Sequence, residues 1–277
     1  MRIRAFFLLL AAFWGAGSLA AADRRHQTFD FDWKFTLSAP AGAETPDLDD
    51  ASWEAVQLPH DWSMTLPYLS PQEGGSGAMG FMQGGLGWYR KRFAVPASWK
   101  GRRISLEFDG VYHRSTVYVN GREVGFHPYG YTAFAYDITD YLIPGKENVV
   151  AVRVDHTDCP TSRWYSGSGI YRDVTLFTSE AVYLEPDAVY VSTEGVDGTS
   201  AALQVKTTVI NETLQAQTLS LRTKICSDAK EEAGAETTTF FLKAGEKKTL
   251  SQRILVKNPA LWSEDTPVLY TVASELL

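Results

Sequence analysis

At 277 residues, 44% hydrophobic and 21% charged, the chain has the make-up of a globular protein with apolar side chains for one large core or two smaller ones, so two domains is the starting expectation. The 26 Lys and Arg against 33 Asp and Glu give a net charge of -7 spread without long runs, which leaves no electrostatic footprint for nucleic acid or an anionic membrane and suits a neutral partner. With 5 His and 2 Cys showing no ligand spacing, neither a metal site nor a cofactor is expected. Aromatic residues make up 13% of the chain, which is compatible with stacking on the C–H faces of sugar rings and equally with the appetite of β-rich cores for aromatics.

The N-terminus reads as a targeting segment. Arg2 and Arg4 form a positive n-region, Ala5 to Gly15 an apolar run, and Ser18-Leu19-Ala20 a small-x-small cleavage site, so residues 1–20 are expected to be a signal peptide and the mature chain to begin at Ala21 or Asp23. The run is too short to span a bilayer and no Cys follows it for lipid attachment. A soluble protein in the periplasm or outside the cell is expected, with no membrane partner.

Strand periodicity then runs nearly everywhere, starting with Phe31 to Leu37, Trp53 to Leu58 and Trp88 to Val95. Gly74 to Gly87, with seven glycines, reads as a mobile loop; no helix follows to supply an N-terminal dipole, so a phosphate cradle is not expected. Ile104, Leu106 and Phe108 alternate with Arg103, Ser105 and Glu107, the period-2 pattern of a half-buried strand. Ser115 to Val119 and Arg122 to Phe126 flank Asn120-Gly121, a dipeptide suited to the positive φ angles of a type I′ hairpin. Phe134 to Ile138, the alternating Val150, Val152 and Val154, and Val174 to Phe177 follow with no βαβ rhythm. An all-β jelly-roll sandwich over residues 21–182 is the reading.

The second half repeats the rhythm in a smaller unit over residues 183–277. Strands are predicted near Val189 to Ser192, Leu203 to Val209, Leu219 to Ile225, Thr238 to Leu242, Lys248 to Leu255 and Val268 to Val272. An immunoglobulin-like β-sandwich fits this set; such a sandwich wants at least seven strands, so this one reads as incomplete, its last strand missing. Cys159 and Cys226 fall in different domains, either joined in an oxidising compartment or serving as small core residues. Asp49-Asp50 and Glu231-Glu232 read as solvated acidic pairs in loops.

Several motifs occur in a fixed order. Leu58-Pro59-His60-Asp61-Trp62 is followed by Gly84-Gly85-Leu86-Gly87-Trp88-Tyr89-Arg90-Lys91, by Val119-Asn120-Gly121 with Val124-Gly125, and by Gly130-Tyr131-Thr132-Ala133-Phe134. The most specific is Ser162-Arg163-Trp164-Tyr165-Ser166-Gly167-Ser168-Gly169-Ile170-Tyr171-Arg172-Asp173-Val174, and Pro259-Ala260-Leu261-Trp262 with Pro267, Leu269 and Tyr270 closes the series. In this order the chain resembles the N-terminal part of family 2 glycoside hydrolases of β-galactosidase type. The resemblance implies a galactose-binding-like jelly roll and an immunoglobulin-like domain leaning on a (β/α)₈ barrel, the catalytic barrel of the same polypeptide.

The family reaction is retaining hydrolysis, in which one carboxylic acid protonates the leaving oxygen and a second carboxylate attacks the anomeric carbon. Both are Glu residues on the barrel, whose active sites are built from loops at the strand C-termini. No βαβ repeat precedes Leu277, so no catalytic residue is expected here. Asn211-Glu212 has the form of the family's Asn-Glu acid/base pair but lies between two strands and reads as a turn; Thr213 makes it a sequon.

Substrate-binding residues follow from the same resemblance, because a jelly-roll loop of this family reaches into the barrel's sugar pocket. In several relatives an Asp five positions before the small residue of the Gly-Ile-Tyr-Arg-like motif bonds sugar hydroxyls, and counting back from Ser168 gives Arg163 instead. An Arg fork can donate to hydroxyls or to a uronic acid carboxylate, so a β-linked galactoside is the first expectation with a glucuronide as rival; an ion pair between domains is the other reading. Trp164 is either a sugar platform or interface packing. His60 and Asp61 either line the same pocket edge or brace the loop after them. A second function class stays open, an accessory carbohydrate-binding module without chemistry, as does a piece of a β-glucuronidase or β-mannosidase.

Overall fold

A computed structural model describes residues 25–75, 77–157 and 166–277; the expected signal peptide and Cys159, Arg163 and Trp164 lie outside the described residues. The first half contains β1 (Arg25–Thr28), β2 (Trp33–Thr36), β3 (Glu54–Val56), β4 (Gly85–Ala94), β5 (Arg103–Phe108), β6 (Ser115–Val119), β7 (Arg122–His127), β8 (Phe134–Asp137), β9 (Glu147–His156) and β10 (Val174–Ser179). They form two antiparallel sheets, of order β3-β2-β4-β9-β6-β7 and β1-β10-β5-β8. Alternation drives the two sheets together. Ile104, Leu106 and Phe108 of β5 and Val150, Val152 and Val154 of β9 are all buried in one cluster with Trp33, Trp62, Tyr89 and Ile170. Each such side chain withdrawn from water contributes roughly 1.5 to 3 kcal/mol.

The hairpin is where the dipeptide puts it, with Asn120 at φ 51 and Gly121 at φ 80 joining β6 to β7. β1 is an addition to the reading from sequence: Arg-His-Gln-Thr carries no apolar alternation and becomes a strand through its pairing with β10. Two further readings are corrected. β4 begins at Gly85, inside the stretch expected to be a loop, and the rest of that stretch is tied by Leu69 N to Phe81 O (2.8 Å) and Gln83 Nε2 to Pro67 O (2.7 Å). Asp50 is not solvated, because its carboxylate sits 2.8 Å from Nε of the fully buried Arg90.

The second half contains β11 (Val182–Val196), β12 (Ser200–Asn211), β13 (Gln217–Cys226), β14 (Glu232–Leu242), β15 (Lys247–Lys257) and β16 (Thr271–Leu276). They build two facing three-stranded sheets, β11-β12-β15 and β14-β13-β16. Val205, Ile225, Ile254 and Val256 fill one end of the space between them and Val209, Leu219, Leu221 and Leu242 the other. Buried Gln252 of β15 donates to the Leu221 carbonyl of β13 (3.0 Å), pinning one sheet to the other. The expected strand at Val268 to Val272 lies later, at Thr271–Leu276, because a turn held by Ser263 N to Thr266 O (3.0 Å) precedes it. Glu232, read as a loop residue, opens β14 and pairs with Arg222 at 3.0 Å.

The two sandwiches meet around Arg103. Its guanidinium lies 3.0 Å from Asp137 of β8 and 2.6 Å from Glu212 just past β12, and it faces the ring of Tyr183, whose hydroxyl donates to Glu212 (3.1 Å). A cavity of about 310 Å³ opens beside this joint. Asn211 is fully buried, its amide donating to Gln215 O (2.8 Å) and Lys243 O (2.9 Å) while its oxygen accepts from Thr213 N (2.9 Å). The Asn-Glu pair is therefore a turn and a joint, and the sequon's amide is closed to modification in the folded chain.

Candidate functional site

One end of the first sandwich is floored by three segments, the corner 60–63, the end of β9 with the residue after it at 155–157, and the limb 166–170. Backbone bonds tie the corner to the limb, His60 N to Ile170 O (2.8 Å) and Trp62 N to Ser168 O (3.1 Å). Asp61 adds its carboxylate. Its Oδ1 caps the 3-10 turn Trp62–Met64 by accepting from Ser63 N (3.0 Å) and reaches across to accept from Ser168 N (2.8 Å). His60 Nδ1 lies 2.8 Å from the Tyr89 hydroxyl of β4. Of the four residues expected to bind sugar, the two that are described thus brace the floor. Arg163 and Trp164 fall outside the described residues.

Residues that sequence reasoning did not single out complete the floor. Ser168 Oγ is 2.5 Å from Ser63 Oγ and 2.6 Å from His156 Nδ1, and all three residues are buried. Gly169 exchanges both backbone bonds with Tyr112, each 2.9 Å. At the other foot Asp155 accepts from Thr157 N (3.1 Å) and Thr157 Oγ1 (2.6 Å), and from Arg114 (3.1 Å) and Arg153 (3.0 Å). Polar residues scattered this way carry no periodicity. The available signal was that Ser63 follows one quoted motif and Ser168 lies inside another.

Beside the limb, Tyr131 places its hydroxyl 3.3 Å from Ser166 Oγ, and its ring meets Tyr112 on one side (5.3 Å) and Tyr129 on the other (5.6 Å). Tyr129 and Tyr131 are 56% and 50% exposed, so aromatic faces are presented to solvent next to the limb. The carboxylates here are committed to structure. Burial alone would raise Asp155, but the Thr157 bonds and the two guanidinium groups hold it at about 2, and Asp61 is engaged by two backbone N–H groups.

The histidines go the other way. Burial, then the neighbouring His113, lowers His156 from 6.5 to about 4, and burial also lowers His60 and His113. An unfolded chain takes up these protons near 6.5 while the fold refuses them until lower pH. Their contribution is therefore fully present above 6.5 and drains away as pH falls toward 4. Asp30, raised by burial, acts in the opposite direction. Thermal melts are expected to show the midpoint falling steadily from pH 7 to 4.5, with a shallower slope in His156→Asn; a midpoint flat over that range would contradict the assignment.

Comparison with known proteins adds the following. Residues 27–180 match the sugar binding domain of glycosyl hydrolases family 2, and residues 182–277 match a further domain described as glycosyl hydrolases family 2. The chain is 38% identical to the β-galactosidase BoGH2A of Bacteroides ovatus over 95% of its own length and 31% of that protein's. It is 32% identical to a putative β-glucuronidase of Formosa agariphila, covering 92% of this chain and 24% of that one. Among solved structures, a family 2 member from Bacteroides cellulosilyticus superposes with a TM-score of 0.84 at 37% identity, over 91% of this chain and 34% of the other. The β-glucuronidase of Bacteroides uniformis gives a TM-score of 0.80 at 31% identity, over 92% and 30%. The chain spans about a third or less of these relatives' length.

Proposed function

The chain belongs to family 2 of the glycosyl hydrolases, and from that premise we propose that it forms the N-terminal part of a secreted β-glycosidase, in which the floored end of the jelly roll forms one edge of the sugar pocket and a barrel of the same polypeptide performs the chemistry. The observation that carries this reading is the floor itself. Three segments are locked together next to Thr157 and Ser166, yet Asp61 and Asp155 are both taken up by structural hydrogen bonds. Cleavage with retention needs two free carboxyl groups about 5 to 5.5 Å apart across the bond. Such a floor grips and orients a sugar without itself breaking a bond. Binding of this kind accelerates hydrolysis only where its contacts strengthen in the transition state.

A β-galactoside is the first substrate proposed, on the similarity to BoGH2A; a β-glucuronide is the second, on the relatives named β-glucuronidase. Arg163 is proposed to touch either sugar, because a guanidinium fork can donate to two hydroxyls of a galactoside or in bidentate fashion to a uronate carboxylate, and the size of its loss on each substrate tells the two apart. Residues 1–20 are proposed to direct export. In the product of the full reading frame, Arg163→Ala is expected to lower kcat/KM on an aryl β-galactoside about tenfold or more, and further still on the glucuronide if the carboxylate is its partner. An unchanged kcat/KM together with a lower melting temperature would assign Arg163 to an interdomain ion pair instead.

A further inference from the structure

Three short polar contacts run in line beneath the limb. His156 Nδ1 is 2.6 Å from Ser168 Oγ, Ser168 Oγ is 2.5 Å from Ser63 Oγ, and Ser63 Oγ is 2.8 Å from the Gln83 carbonyl oxygen. Each hydroxyl has one proton to give, and a carbonyl has none. Ser63 Oγ is placed to donate both to Ser168 Oγ and to the Gln83 carbonyl but has one proton, and because the carbonyl can only accept, the proton goes there. With that fixed, only one polarity places a proton in all three contacts. Ser63 donates to Gln83 O, Ser168 donates to Ser63, and the Nδ1–H of His156 donates to Ser168. Any other assignment leaves two oxygens, or an oxygen and a nitrogen lone pair, facing each other unshielded in a buried site, which is expensive.

The relay joins four separate stretches of chain, the end of β9, the limb, the corner and Gln83, two residues ahead of β4. Ser168 is its node. Besides its hydroxyl, its N–H goes to Asp61 and its carbonyl receives the Trp62 N–H, so every polar group of the residue is used. His156 is held from its other sides by the rings of Tyr112 (4.8 Å) and His113 (5.1 Å). The charged groups around it are Asp61 on the corner, Arg114 ahead of β6 and the adjacent Asp155, with His113 as the other titratable neighbour.

We infer that His156, Ser168 and Ser63 are positioning residues, a polarised hydrogen-bond relay anchored on the Gln83 carbonyl that fixes the limb 166–170 against the corner 60–63 and so sets the edge of the sugar pocket. This rests on the reading of the site given above. The relay has one built-in property: both neutral His156, with its proton on Nδ1, and the imidazolium can donate to Ser168, so the limb keeps its anchor across the pH range in which the fold survives.

Two experiments test it. On the 277-residue chain, nitrogen-detected imidazole NMR at pH 7 is expected to find His156 protonated on Nδ1; a proton on Nε2 would overturn the relay. In the product of the full reading frame, Ser168→Ala and His156→Leu are each expected to lower kcat/KM on 4-nitrophenyl β-galactoside about tenfold, chiefly through KM, since displacing a gripping edge weakens binding more than it slows the chemistry. His156→Asn, whose side-chain amide N–H takes the place of the Nδ1–H, is expected to recover to within about twofold of the parent. An Asn variant as impaired as the Leu variant would refute a positioning role. Should the parent protein turn over neither the galactoside nor the glucuronide, the glycosidase reading falls, and the imidazole spectrum alone decides the relay.

Discussion

Gly169→Ala is expected to destabilise the first sandwich by about 3 kcal/mol or more, lowering its melting temperature by roughly 6 to 12 °C. The residue sits at φ +123, a conformation costly for any residue with a Cβ, and the added carbon would lie 2.3 Å from the Tyr89 hydroxyl and 2.6 Å from the His60 carbonyl. Neither neighbour can step aside. Tyr89 is fully buried and bonded to His60, and the His60 backbone is tied to Ile170. Any relief must come from pulling the limb off the corner, which breaks the bonds around Ser168. A calorimetric scan checks this; a midpoint within about 1 °C of the parent would mean that the limb is far softer than its hydrogen bonds imply.

Asp50→Ala is expected to cost a similar amount, about 3 to 5 kcal/mol, for an electrostatic reason. Arg90 is fully buried and, among the described residues, its charge is met by a single carboxylate at 2.8 Å, with Nη1 donating to the carbonyls of Ala43 and Thr45 and Nη2 left without a partner. Removing Asp50 leaves a guanidinium in the interior with only neutral acceptors. Arg92, at 3.6 Å from the same oxygen, is more exposed and keeps Glu147 (3.5 Å) and the carbonyls of Pro46 and Leu48, so its share of the loss is small. Asp50→Asn keeps an oxygen facing Nε and is expected to lose less than the Ala variant. Equal chemical-denaturation midpoints for parent and Ala variant would show that water reaches Arg90.

These two positions mark what a sequence alone does and does not disclose. The hairpin at Asn120-Gly121 and the alternation in β5 and β9 were legible because both are local: the dipeptide permits the turn, and period-2 burial is written in neighbouring residues. Asp50 was misread because its partner stands forty positions away, and an acidic pair in a loop looks the same whether or not a guanidinium is folded against it. β1 escaped notice because an edge strand of polar residues is created by pairing with β10 and by nothing in its own pattern. At the candidate site, the motifs drew attention to the corner 58–62 and to the stretch 162–174. His60 and Asp61 were read as lining a pocket edge or as bracing the loop after them, and the structure shows them bracing the corner. Ser63, His156 and Ser168 were missed, because a relay exists only when three distant segments converge, and no spacing in one dimension announces it.

The function proposed above has this chain grip a sugar edge for chemistry carried out on a barrel of the same polypeptide. The most direct measurement is a chromogenic assay on aryl β-galactoside and β-glucuronide of two proteins, the purified 277-residue chain and the product of the full reading frame. Hydrolysis is expected from the longer protein on at least one of these substrates, and none above the uncatalysed rate from the 277-residue chain. Turnover by the 277-residue chain that follows the protein through purification and disappears in Asp61→Asn would contradict it.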